Sequence, residues 1–153
     1  MGIDSNIGSA FLKAMRSDGY MVPKTGTAFL SVNDSDKPRL LSIASKLIKL
    51  GFNLIATKGT YAFLKSNNIE CNEIYKVGEG RPNVVDEILN DNIQIVINSP
   101  EGPQSRSDEE AIGRTSVMKN VLTITTISGA KAAIDSMKHL NEVNVKALQE
   151  YFE

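Results

Sequence analysis

The chain has 153 residues, 41 % of them apolar, and its 17 basic and 18 acidic residues leave a formal net charge of −1. That length suits one domain with a core of its own. The balanced charge offers no basic field for a nucleic-acid backbone, and the apolar content is too low for a membrane span.

Chain order gives the following elements. Residues 1–22 contain no apolar stretch of the signal-peptide kind, and Asn6 breaks the myristoylation pattern that Met1 and Gly2 begin, so the expected compartment is cytoplasmic. Residues 7–16 predict a short helix, ended by Ser17, Asp18 and Gly19, and residues 20–26, with Pro23, read as a linker. Ile7, Phe11, Leu12 and Met15 are too much apolar surface for a free arm, so this helix is expected to pack on something, a part of a larger protein being one candidate. Residues 27–32 form a β-rich run. Residues 33–36 then supply capping side chains ahead of Pro38, and a helix over 37–50 places Leu40, Leu41, Ala44, Leu47 and Ile48 on one face, with Gly51 as its stop.

A strand is predicted over 52–56, a turn over 57–60, a helix to about 67 and a strand near 71–75. A loop over 76–82 leads to a helix over roughly 83–90, and 93–97 is the most strand-like run of the chain. Residues 98–106 read as a long loop, and Ser107 to Glu110 has capping-box spacing at the start of the next helix. The last strand is expected over 121–125 and a helix over 128–138, and the amphipathic segment 143–152 is either helical or frayed. Alternating helices and near-continuously apolar strands predict an α/β fold. It is a single doubly wound domain: a five-stranded, mainly parallel sheet with helices on both faces.

In such sheets ligands bind beyond the carboxyl ends of the strands. Those ends carry Ser31 to Asn33 with Lys37 one turn on, then Thr57 to Thr60, Lys76, Asn98 with Ser99, and Thr125 with Thr126. Hydroxyls, lysines and an amide recur there, whereas paired carboxylates and a His or Cys nucleophile do not. The set favours holding an anion over acid–base chemistry. The turn Thr57-Lys-Gly-Thr60 is the strongest member, because two hydroxyls and the free N–H groups of a helix start suit a phosphate. Plainer readings stand beside these: the turn as an ordinary capped connection, Lys37 as a solvated helix lysine, Asn98 as a strand-end cap, Thr125 and Thr126 as strand formers. A single cysteine, Cys71, excludes an internal disulfide and a cysteine-based zinc site, and a single histidine, His139, excludes a His-rich metal site.

Five segments occur together in order: Gly26-Thr-Ala-Phe-Leu-Ser-Val, Gly51-Phe-Asn-Leu-Ile-Ala-Thr-Lys-Gly-Thr60, Lys76-Val-Gly-Glu-Gly-Arg-Pro82, Ile95-Val-Ile-Asn98 and Thr125-Thr126. Over about residues 26–138 they resemble the C-terminal allosteric domain of the carbamoyl phosphate synthetase large subunit, a methylglyoxal-synthase-like domain. The resemblance implies a fragment of a longer subunit, with Met1 an added start. Residues 1–25 would be a helix and linker from the preceding synthetase domain, and 26–153 the allosteric nucleotide-binding domain. It implies UMP as inhibitor and IMP as possible activator, with Ser31, Lys37, Thr57, Thr60, Lys76, Asn98 and Asp108 around the nucleotide and Thr125 at an ornithine border. It implies no catalytic residue, metal or cofactor in this domain, with ATP and Mg or Mn belonging to the parent enzyme. Implied partners are the rest of the large subunit and the small glutaminase subunit, in carbamoyl phosphate supply for pyrimidine and arginine synthesis, with neither nucleic acid nor membrane.

Two enzymes on the same fold are rivals. A methylglyoxal synthase acting on dihydroxyacetone phosphate needs an aspartate in a Gly-Gly-Asp-Gln-Gln loop, where this chain has Gly78-Glu-Gly-Arg-Pro-Asn83. An IMP cyclohydrolase needs a Lys-Thr-Leu-His-Pro segment that the chain lacks. A third alternative is an assembly module that binds nothing.

Overall fold

The computed structural model describes residues 1–99, 106–141 and 145–151. Five strands alternate with helices: α1 (Ile7–Ser17), β1 (Gly26–Val32), α2 (Lys37–Lys49), β2 (Phe52–Thr57), α3 (Lys58–Ser66), β3 (Asn72–Ile74), α4 (Val84–Leu89), β4 (Ile95–Ser99), α5 (Arg106–Met118), β5 (Leu122–Ile124) and α6 (Ile127–Ser136). The strands form one sheet in the order β3-β2-β1-β4-β5, and every pairing is parallel. This is the expected doubly wound α/β architecture, with the chain reversing direction across the sheet between β1 and β4.

Period-two alternation divides the core. Ala28, Leu30, Ile95 and Ile97 face one side, where they meet Leu40, Ile43, Ala44 and Leu47 of α2, Leu64 of α3 and Ala130 and Ile134 of α6. Phe29 and Val96 face the other, against Val84 and Ile88 of α4 and Ile112 of α5. In α2 Ile43 is buried and Ile48 is 41 % exposed. The apolar stripe is therefore centred one residue away from the expected face, and Ile48 sits at its edge.

Several boundaries differ from expectation for physical reasons. α1 packs within the chain: Leu12 and Met15 join the main core, and the helix lies against α6 and the 3-10 turn Met137–His139, while Ile7 is 85 % exposed. Asp36 occupies the cap position of α2, yet its carboxylate makes no capping bond because it is held by other side chains. α4 is opened by Asn83, which accepts from the Val85 and Asp86 N–H groups while Asp86 accepts from the Asn83 N–H. β4 runs two residues later than predicted, because Ala28 pairs with Ile95 and Val32 with Ser99. α5 begins at Arg106, so Ser107 lies inside the helix and does not cap it. Most of the predicted 98–106 loop, residues 100–105, lies outside the described residues. The 143–152 segment forms a 3-10 turn at Leu148–Tyr151. Among the described residues no helix is long and apolar enough to cross a membrane.

Candidate functional site

Alternation along β1 and β4 does more than divide the core. Ser31 continues the face of Phe29 and Asn98 that of Val96, and the two are register partners on adjacent strands. Both reach the carboxyl end of the sheet at the reversal between β1 and β4, where the diverging connections leave a crevice. A cleft opens there, floored by Phe29 and Ile112 and walled by Ser31, Thr57, Asn98, Ser99 and Asp108. Lys76, Val77 and Val84 also line it.

On the β2 side, Thr57 is the residue before α3 but makes no side-chain cap; its hydroxyl donates instead to Ser31 Oγ at 3.3 Å. The first N–H groups of a nine-residue helix are thus left without a side-chain cap at the same place as two hydroxyls. Lys37 Nζ stands beside this start, 3.6 Å from where a Cβ on Gly59 would lie. It is paired with Asp34 Oδ1 at 2.6 Å, and that hydrogen bond holds the Asp34 carboxyl below its usual range. Thr60 is 2 % exposed and accepts from the Val32 N–H at 3.3 Å, tying the first turn of α3 to the end of β1.

Across the cleft the chemistry changes. Asn98 is 7 % exposed, and its carboxamide makes no hydrogen bond among the described residues although it lines the cleft. A buried amide in that state has donors and an acceptor left for an incoming group. Asp108 and Glu109 bring two carboxylates from the first turn of α5. Donors and a helix start therefore face an amide and carboxylates over an apolar floor of Phe29, Val77, Val84 and Ile112.

The MGS-like domain family model matches residues 39–125, more than half of the chain. The chain belongs to the MGS-like domain family. It is 45 % identical over 159 residues to a protein of Aquifex aeolicus described as carbamoyl phosphate synthase large chain, C-terminal section, with 99 % of this chain and 30 % of that protein covered. The carbamoyl phosphate synthase large chain of Acidobacterium capsulatum is 46 % identical over 137 residues, covering 90 % of this chain and 12 % of the relative. A C-terminal section from Methanopyrus kandleri is 46 % identical over 146 residues, covering 95 % and 27 %. The chain thus spans between about an eighth and a third of the length of these relatives.

Of the residues singled out from sequence, this MGS-like domain brings Ser31, Thr57, Lys76, Asn98 and Asp108 into one cleft. Lys37 and Thr60 stand beside it and are absent from its walls. Thr125 lies elsewhere, in a groove between α1, β5 and α6 that Phe11, Tyr20, Thr126 and Gly129 share. Asn33 and Ser99, expected at strand ends but outside the nucleotide set that the resemblance implies, line the cleft too, and Glu109 is a cleft residue that the expected set lacks. Ser99 Oγ donates to Asp36 Oδ2 at 2.5 Å, and Asn33 Nδ2 donates to Ser99 Oγ at 2.8 Å and to Asp36 Oδ2 at 3.1 Å. The register of β4 sets Ser99 beside Val32, which brings that hydroxyl to the Asn33 and Asp36 side chains.

Proposed function

We propose that this cleft binds a nucleoside 5′-monophosphate of the UMP or IMP kind, and that the domain is a regulatory module of a carbamoyl phosphate synthase large chain. The observation that carries the reading is the meeting of Ser31 and Thr57 hydroxyls with a start of α3 that has no side-chain cap, opposite an Asn98 carboxamide without a hydrogen-bond partner among the described residues. A phosphate would sit at the hydroxyl and N–H end, with Lys37 or Lys76 supplying charge. The ribose and base would lie toward Asn98 and Asp108, over the apolar floor. The names of the relatives support the placement in such a synthetase, whose ATP, metal ions and small glutaminase subunit would be engaged by other parts of the enzyme.

Regulation then follows by linkage. A nucleotide that prefers one arrangement of this domain against the rest of the enzyme shifts that equilibrium by its differential affinity, typically ~1–3 kcal/mol. The groove at Thr125 would form the ornithine border in the same proposal. Calorimetric titration with UMP and then IMP tests the reading, and saturable one-to-one binding of either is the expected outcome. Absence of heat and of thermal shift with both would reject it. Methylglyoxal release from dihydroxyacetone phosphate would instead assign an enzyme.

A further inference from the structure

The cleft and the Thr125 groove are lined by different residues, yet a run of polar contacts leads from the wall of one to the helix turn that borders the other. It begins in the cleft wall, where Ser99 Oγ and Asn33 Nδ2 both donate to the Asp36 carboxylate. From the other oxygen of that carboxylate, Arg39 Nη1 is 3.8 Å away, and Arg39 Nη2 donates to Ser128 Oγ at 2.8 Å. Ser128 lies in the first turn of α6, between Thr126 and Gly129, which both line the groove. Thr126 in turn accepts from the Gly129 N–H at 3.1 Å. Five side chains, from β4, the β1–α2 connection, α2 and α6, thus lead from the cleft wall to the first turn of α6.

We propose that Arg39 is a positioning residue which couples the two cavities through Asp36 on one side and Ser128 on the other. Asp36 would ordinarily cap α2, and its diversion to Ser99, Asn33 and Arg39 leaves that helix start without its side-chain cap. The arrangement therefore fixes the end of β1 to the end of β4 where a cap alone would not. A second cross-tie, Lys46 of α2 to Asp135 of α6, keeps the two helices in step about two turns further on. A group that enters the cleft and competes for Ser99 or Asn33 changes the pull on Asp36, hence on Arg39 and on the first turn of α6. The link is modest in size: Arg39 is 57 % exposed and its contact with Asp36 is long, which places it among weak surface ion pairs. The bridge exists whatever fills the cleft; its use as a signal path rests on the nucleotide reading.

The experiment uses amide NMR of the whole chain with two substitutions at exposed positions, Arg39→Met and Ser128→Ala, which leave the core untouched. The reporter is the Asn33 side-chain amide, whose protons point at Ser99 and Asp36. Both substitutions are expected to shift that resonance, and Ser128→Ala is expected to add nothing once Arg39→Met is present. An Asn33 amide indifferent to both changes overturns the bridge, as does a Ser128→Ala effect that survives Arg39→Met. UMP is then added: Ser128 and Gly129 resonances are expected to move in the parent chain and to stay still in Arg39→Met. Movement that persists in Arg39→Met rejects Arg39 as the coupling residue. If UMP leaves the residue 57–60 amides unmoved, the nucleotide reading fails, while the ligand-free comparison still decides the bridge.

Discussion

Thr57 shows how much one side chain can be asked to do. Its place before α3 is that of a cap, but its hydroxyl turns to Ser31, and that 3.3 Å contact is its side chain's bond within the described residues. Little stability therefore rests on it, whereas a bound phosphate would gain a charge-assisted hydrogen bond. Thr57→Ala is expected to weaken UMP binding by roughly ten- to a hundredfold, in line with the ~1.5–3 kcal/mol of such a bond, and to lower Tm by no more than a few degrees. Calorimetry and a melting curve on one sample check both halves; equal affinity in the variant would remove the hydroxyl from the site. Cys71 is a residue of the opposite kind. Burial pushes its thiol up from 9.0 to about 11, so at pH 8 it carries roughly a hundredfold less thiolate than an ordinary cysteine. Alkylation at pH 8 should be slow in the folded chain and should speed up by about that factor in urea. Similar rates in the two conditions would show that burial does not protect it.

At the level of elements, α2 and α6 are held side by side by Lys46 and Asp135, with Lys131 reaching the same carboxylate at 3.1 Å. The hydrogen bond from Lys46 holds the Asp135 carboxyl below its ordinary value of 3.8, with Lys131 adding to it. A carboxylate depressed in the folded state contributes stability that is present above its unfolded pKa and lost as pH falls through the folded one. With both side chains about a third exposed, solvent limits the contribution to about 0.5 kcal/mol. Urea unfolding should therefore separate the parent chain from Asp135→Asn at pH 6, and the gap should close as pH drops below 3.8. A gap that persists at low pH would point to packing in place of charge. α1 is tied in by apolar contact. Leu12 is fully buried against the core that α2 and α6 share, so Leu12→Ala should cost about 2–5 kcal/mol by cavity formation. A loss below 1 kcal/mol in urea unfolding would mean that α1 is a dispensable arm.

Over the whole molecule, two apolar layers sandwich a sheet whose strand order reverses between β1 and β4. The reversal explains why residues from widely spaced segments, Ser31, Thr57, Asn98 and Asp108, face one space. It also explains why Thr125 does not join them: β5 lies at the edge of the sheet, one strand beyond β4, and its end opens toward α1 and α6. Removing residues 1–19 is expected to take away one wall of that groove and to destabilise the domain, because Leu12 and Met15 leave with the segment. Circular dichroism melts of the shortened chain check this, and an unchanged Tm would detach α1 from the core.

The sequence by itself determined the class of fold and most of its elements, because strand and helix periods, Gly51 after α2 and the apolar runs of β1, β2 and β4 are local signals. It also placed hydroxyls and lysines at the strand ends, since those positions follow directly from where each apolar run stops. It did not reveal that Lys37 and Thr60 stand beside the cleft and not in its walls, nor that Asp36 joins Asn33 and Ser99 in a cross-link in place of a cap. Those outcomes depend on strand register and on which connection lies next to which. A shift of two residues in β4 makes Ser99 a strand residue paired with Val32, and no local pattern specifies it. Local chemistry sets what each segment can become, whereas long-range pairing decides which groups finally meet.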